Sequence, residues 1–130
     1  MARVLVVDDD LDILSAVQEA LAEEGWDVVT AATAEEASLA GRCREIDVVL
    51  CDVLLNDGRH GRSVKEAFGT TLGLGQVPFA FMTASPREAT SLRDEYVLRK
   101  PFGSSEVVEL LNDALCDRAR KRTRQAPVIQ

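Results

Sequence analysis

Short apolar runs in this chain end in polar residues able to do chemistry. Asp8 and Asp9 follow RVLVV, Asp52 closes VVLCD, Thr83 closes FAFMT, and Lys100 follows YVLR. Carboxylates gathered at one place repel, so either one keeps its proton or a cation joins them. An all-oxygen set without a histidine or cysteine ligand suits Mg²⁺. With a cation present Asp52 stays ionised, and an ionised carboxylate can accept a phosphoryl group to give an aspartyl phosphate. Lys100 would then neutralise a phosphoryl oxygen as a point charge, and Thr83 could donate a hydrogen bond to another. Taken alone, Asp52 reads equally well as a turn residue before a loop. The choice depends on whether the other four residues meet it.

The elements that would bring them together follow from hydrophobic pattern. Arg3–Val7 and the run through Val48, Val49 and Leu50 lack polar alternation, as strands covered on both faces do. Trp26–Ala32, Phe79–Thr83 and Tyr96–Arg99 complete a predicted set of five strands. Between them, Leu14, Val17 and Leu21 predict a helix over Leu11–Glu24, with Asp10 as its N-cap and Gly25 just past its end. Thr33-Ala-Glu-Glu36 is a capping box that opens a short helix to about Cys43. A third helix is predicted from Ser63 to about Leu72. Ser85-Pro86-Arg-Glu88, which combines an N-cap, a proline at N1 and a capping-box glutamate, predicts a fourth ending near Leu92. Ser104 or Ser105 caps a last helix carrying Val107, Val108, Leu111 and Leu115. Such alternation implies an α/β fold, a doubly wound five-stranded parallel sheet with helices on both faces. Its strands all end on one edge, where such folds bind ligands, and Asp8, Asp9, Asp52, Thr83 and Lys100 fall there.

Composition narrows the classes. With 46% hydrophobic and 28% charged residues over 130 positions, the chain suits one soluble globular domain and is too aliphatic for disorder. No apolar run approaches the about 20 residues needed to cross a bilayer, and MARVLVVDDD is not a signal peptide, so the expected location is cytoplasmic, away from membranes. Cys43, Cys51 and Cys116 show no metal spacing and are expected as reduced thiols. The net charge of −7 is uneven: residues 1–116 hold 10 basic against 21 acidic groups, so this body should not bind nucleic acid directly. Residues 1–117 read as one domain and 118–130 as a basic C-terminal tail or linker, whose charges suit a solvated helix end. His60, the only histidine, lies in a glycine-flanked loop with no partner in view and reads as solvated and incidental. Gly69, Gly73 and Gly75 fit no phosphate-binding loop.

At its polar positions the sequence resembles the receiver domain of two-component response regulators, the CheY-like family. LVVDDD (Leu5 to Asp10), VVLCDVLL (Val48 to Leu55), FMTAS (Phe81 to Ser85) and RKPF (Arg99 to Phe102) carry the resemblance, in the family's order and at nearly its spacings. It implies a flavodoxin-like sheet of order 2-1-3-4-5. It implies that Asp52 is the phosphoacceptor, taking its phosphoryl group from a sensor histidine kinase or phosphotransfer protein. Mg²⁺ would be held by Asp9 and Asp52, by the backbone carbonyl of Leu54, and by Asp8 directly or through water. Thr83 and Lys100 would contact the phosphoryl group. The result would be a switch of partner binding, toward a downstream target or a fused output domain, and not a turnover enzyme.

The chain departs from the family pattern in four places. Asn56 stands where proline is usual, and Gly61 comes one residue late. Val97 occupies the place of the switch aromatic, with Tyr96 one residue earlier, and a one-residue offset along a strand points a side chain to the opposite face unless a bulge intervenes. Thr83 and Lys100 are closer in sequence than usual by about one helical turn, which predicts a shortened fourth helix. A different reading is a receiver-like interaction module that works without phosphorylation. A haloacid-dehalogenase-type phosphatase, the enzymatic alternative, needs a second acid two residues after the nucleophile, where this chain has Leu54.

Overall fold

A computed structural model describes residues 2–125 of the chain. Strands β1 (Arg3–Val7), β2 (Asp27–Ala31), β3 (Val48–Asp52), β4 (Phe79–Thr83) and β5 (Tyr96–Arg99) alternate with helices α1 (Leu11–Glu23), α2 (Ala34–Cys43), α3 (Gly61–Thr70), α4 (Pro86–Ser91) and α5 (Ser104–Gln125). The strands form one parallel sheet in the order β2-β1-β3-β4-β5. This is the doubly wound architecture that the alternation of elements predicts.

The sheet is covered on both faces, which explains why its central strands show no polar alternation. Leu5, Val7, Val49, Phe79 and Phe81 pack with Ala34 and Ala37 of α2 and with Val64 and Phe68 of α3. From the other face, Val4, Val6, Val48, Leu50, Ala80 and Met82 pack with Leu14, Val17 and Leu21 of α1 and Val107, Leu111 and Ala114 of α5. Gly41 lets α2 lie close on α3, because a Cβ there would come within 2.9 Å of both Leu72 and Phe68 side chains.

Side-chain caps fix where the helices begin. The Asp10 carboxylate accepts from the backbone N–H groups of Asp12 and Ile13 at 3.0 and 3.4 Å. Past the other end of α1, Gly25 takes φ +85°, the left-handed value that glycine adopts without strain. Thr33 Oγ1 accepts from Glu36 N–H at 3.1 Å, while the Glu36 carboxylate reaches back to Ala32 N–H at 2.8 Å. α3 starts at Gly61, two residues before the predicted Ser63, because His60 Nδ1 accepts from Arg62 N–H at 3.1 Å and serves as the cap. α5 begins with Ser104 itself, so neither serine caps it. Gly103 precedes the helix and gives its N–H to Glu106 Oε1 at 3.1 Å. α4 has six residues, as the shortened spacing predicts.

The sheet edge where the strands begin is tied by charge. Arg3 Nε meets Asp27 at 2.6 Å, Arg3 N–H donates to Asp47 at 2.7 Å, and Arg118 donates to the Asp47 carbonyl at 3.0 Å. Trp26, half-buried, borders this group. α5 passes through Arg118 without a break, and of the basic tail residues 126–130 lie outside the described region.

Candidate functional site

At the opposite edge, the ends of β1, β3 and β5 converge on a small acidic cluster. The register pairs Val7 with Cys51, so Asp8 and Asp52 leave neighbouring strands side by side. Asp8 is fully buried, an expensive place for a carboxylate unless its oxygens have partners. Its Oδ1 accepts from Asp10 N–H at 2.9 Å and its Oδ2 from Lys100 Nζ at 2.9 Å. Lys100, just beyond β5, extends the ladder by donating its N–H to the Thr83 carbonyl. That anchor sends its side chain across β4, and Nζ also lies 3.4 Å from Asp52 Oδ1. One ammonium therefore serves two carboxylates.

One cation does not balance three acids. Burial, then the charge of Asp8, pushes the Asp52 carboxyl up from 3.8 to about 6, against the opposing pull of Lys100. Lys100 moves upward too: burial works against its charge, but the hydrogen bond to Asp8 and the charges of Asp52 and Asp8 outweigh it. Asp8, Asp9 and Asp52 each offer an oxygen, and these oxygens lie within 4.8 Å of one another. An all-oxygen donor set of that spread, with residual negative charge, fits a small hard dication such as Mg²⁺.

The loop after β3 walls the site. Asn56 donates its backbone N–H to Asp9 Oδ2. A proline at this position would lack that donor, so the departure at Asn56 adds a tie between the two acid-bearing loops. Leu54 and His60 form an isolated antiparallel bridge through their neighbours, with Gly61 N–H on the Val53 carbonyl at 2.7 Å and Leu55 N–H on the Arg59 carbonyl at 3.0 Å. These bonds leave the Leu54 carbonyl unused by the bridge. A Cβ on Gly61 would stand 2.8 Å from the Asp52 carbonyl oxygen and 3.1 Å from the Phe81 ring. Gly61→Ala is therefore expected to push α3 off the end of β3 and to cost about 1–3 kcal/mol of stability, the usual range for overpacking. Urea unfolding measures this; a midpoint equal to wild type would show that the loop yields freely.

Thr83, buried at the end of β4, follows Met82, the partner of Asp52 in the ladder. Its Oγ1 accepts from Ser85 N–H at 3.0 Å, so this hydroxyl is bound to its own loop and makes no hydrogen bond to the carboxylates among the described residues. The β4–β5 pairing runs without a bulge from Ala80↔Tyr96 to Thr83↔Arg99. Val97 consequently packs on the same side as Phe81, with α2 and α3, and Tyr96 on the α1 and α5 side. The offset of the aromatic thus holds in three dimensions, and the face shared by Phe79, Phe81 and Thr83 carries Val97 instead.

The expectation that His60 is solvated and incidental is wrong. Besides capping α3, its ring places Nε2 3.1 Å from Glu88 Oε2, 28 residues away in α4. Local sequence could not show that partner. Glu88 in turn does not close the predicted capping box; Ser85 Oγ accepts from Glu88 N–H at 3.2 Å, but the Glu88 side chain turns to His60. The three cysteines are free, as expected, with Cys51 buried beneath the site. Burial, then the charges of Asp52 and Asp8, raises its thiol far above the ordinary range, so it stays a neutral hydrophobe.

A twisted parallel sheet of order 2-1-3-4-5 with paired acids and a lysine at its carboxyl edge defines a receiver-type switch domain, and the chain belongs to the response regulator receiver domain family, whose model matches residues 4–112. It is thus a domain of two-component signalling. Among relatives, it is 30% identical over 132 residues to the transcriptional regulatory protein YvrH of Bacillus subtilis, covering 96% of this chain and 52% of that protein. The probable transcriptional regulatory protein TcrX of Mycobacterium tuberculosis is 35% identical over 111 residues, or 81% of this chain and 46% of its own. The chain spans about half the length of these curated relatives. The structure of the chemotaxis protein CheY4 of Vibrio cholerae superposes with a TM-score of 0.79 at 28% identity, covering 88% of this chain and 99% of that one. No helix among the described residues is long and apolar enough to cross a membrane.

Proposed function

We propose that this domain accepts one phosphoryl group on Asp52 from a histidine kinase or phosphotransfer protein, in a Mg²⁺-dependent reaction, and thereby switches partner binding. The observation that carries this reading is the cluster of three carboxylates whose offered oxygens lie within 4.8 Å of one another, with one lysine on two of them, Asp8 and Asp52. In the transfer, an Asp52 oxygen bonds to phosphorus as the P–N bond to the donor's imidazole breaks, and the imidazole leaves with the electron pair. Asp8, Asp9 and Asp52, with the Leu54 backbone carbonyl, are the residues that would hold Mg²⁺. When bound, the ion supplies positive charge against the carboxylates and phosphoryl oxygens. Lys100 would offset the charge of the phosphoryl oxygens, and the Thr83 hydroxyl, whose oxygen accepts from Ser85 N–H, keeps its own proton to donate to one of them. The added charge of roughly −1.5 to −2 then biases the loops around the site.

The same proposal includes a cognate kinase, a separate or fused effector, a cytoplasmic location, a domain over residues 1–117 and a basic tail or linker over residues 118–130. The test is incubation with acetyl phosphate and Mg²⁺ followed by intact mass measurement. Wild type should gain one phosphoryl group, while Asp52→Ala and EDTA-treated wild type should gain none. Equal labelling of Asp52→Ala, or an unlabelled wild type, overturns the reading.

A further inference from the structure

His60, Arg62 and Glu88 are not used by the phosphoryl chemistry, yet they join two walls of its site. The ring of His60 is fixed by two bonds. Nδ1 accepts from Arg62 N–H at 3.1 Å, so the ring's proton belongs on Nε2, which faces Glu88 Oε2 at 3.1 Å. Both side chains are mostly covered, with 32% and 26% of their surfaces exposed, so the contact is not a freely hydrated surface pair. Arg62, two residues on, donates from its guanidinium to the Ser91 carbonyl at 2.8 Å, near the other end of α4. The first turn of α3 thus holds α4 at both ends.

Each end of this link leads to the acid site. Behind His60, the Leu54–His60 bridge and the Gly61 N–H bond to Val53 join it to the segment that leaves Asp52. Behind Glu88, its N–H rests on Ser85 Oγ, and Ser85 N–H rests on Thr83 Oγ1. A continuous series of bonds therefore runs from the Thr83 hydroxyl through Ser85 and Glu88 to His60 and back to the loop after Asp52. Tyr96 lies on the other face of the sheet from Thr83's neighbours, so this series provides a route to α4 that needs no aromatic.

We propose that His60 and Glu88 are positioning residues that make the loop after Asp52 and α4 move as one unit, with Arg62 as a second fastening. The inference rests on the phosphoacceptor reading for what sets the unit in motion, but the fastening itself is testable in the unmodified protein. His60→Asn separates two roles, because asparagine caps a helix as well as any residue but is too short to reach Glu88. Glu88→Ala removes the acceptor, and Glu88→Gln keeps an oxygen for the Nε2 proton.

The experiment is hydrogen exchange of the α4 amides in the full chain, with and without acetyl phosphate and Mg²⁺, with intact mass read on the same samples. In unmodified protein, His60→Asn and Glu88→Ala should each speed α4 exchange by roughly three- to tenfold, the loss expected from one such bond, and the double variant no further. Glu88→Gln should stay near wild type. Arg62→Ala should add its own increment. On phosphorylation, α4 exchange should change in wild type but not in His60→Asn or Glu88→Ala, although both gain the same mass. Additive single effects, unchanged exchange in the singles, or a wild-type α4 response in the modified variants would overturn the proposal. An unlabelled wild type would remove the phosphoacceptor reading, and the double-variant comparison in unmodified protein would still decide the fastening.

Discussion

Lys100→Met should lower the stability of the metal-free protein by about 2–4 kcal/mol and leave it strongly dependent on Mg²⁺. Methionine keeps the apolar stem of the side chain, so the change isolates the charge. Among the described residues Lys100 Nζ is the only side-chain cation on Asp8 Oδ2 and Asp52 Oδ1, at 2.9 and 3.4 Å, and Asp8 has no exposed surface on which water could replace it. Removing one partner of a buried pair typically costs 3–5 kcal/mol; the 17% exposure of the lysine side chain reduces that figure here. A dication among the three acids supplies the missing charge, so millimolar Mg²⁺ should raise the unfolding midpoint of the variant more than that of wild type. Label uptake from acetyl phosphate should fall by about 10²-fold, the usual loss for one charge aimed at developing negative charge. Thermal unfolding in EDTA and in Mg²⁺ decides the matter, and a variant as stable as wild type in EDTA would refute it.

Asp52→Asn should act in the opposite direction. Its carboxyl titrates at 3.8 when unperturbed and at about 6 in the folded protein, raised by burial and by Asp8. Between those two values the folded state holds the proton that the unfolded state has lost. Stability of the metal-free wild type therefore falls as pH rises from about 4 to about 6, and this group adds no further slope above that. The shift of about two units corresponds to a ceiling of about 3 kcal/mol, and a gain of about 1–3 kcal/mol is expected for the asparagine variant at pH 7.5 in EDTA. The variant should lack the slope between pH 4 and 6, and Mg²⁺ should stabilise it less than wild type. In the double variant with Lys100→Met, the two effects should partly cancel, because they act on one cluster. An Asp52→Asn protein no more stable than wild type at pH 7.5 would show that the acids do not strain the fold.

These opposing effects describe a site at odds with its own fold, and most of it could be read from the chain. Asp8, Asp9, Asp52 and Lys100 were legible because each ends a buried strand, and parallel topology puts all such ends on one edge. The strands Arg3–Val7, Phe79–Thr83 and Tyr96–Arg99 have the bounds their apolar runs predict. Asp10, Thr33 and Ser85 cap as their local patterns require, since a cap acts over three residues. What the chain concealed acts over longer distances. His60 became a cap and a link only because Glu88, 28 positions on, lies against it, and with that cap α3 gained two residues. Asn56 was visible as a departure, but its bond to Asp9 spans 47 positions. The orientation of Tyr96 lay between these cases: period-two alternation placed it on the far face, and only the unbroken β4–β5 ladder excluded a bulge.

The position of Trp26 has a practical consequence for spectroscopy. It precedes β2 beside Arg3 and Asp27, while the acids follow the far ends of β1 and β3. With about 3.3 Å per strand residue, the indole and the carboxylates are separated by roughly 15–20 Å of packed sheet. As the only tryptophan, it will report loss of the fold through its emission and remain silent when a cation or phosphoryl group arrives. Titrations of the site therefore need a fluorophore placed elsewhere. Leu54 is the natural host: the residue is 57% exposed two positions after Asp52, and the proposed metal site would use only its backbone carbonyl.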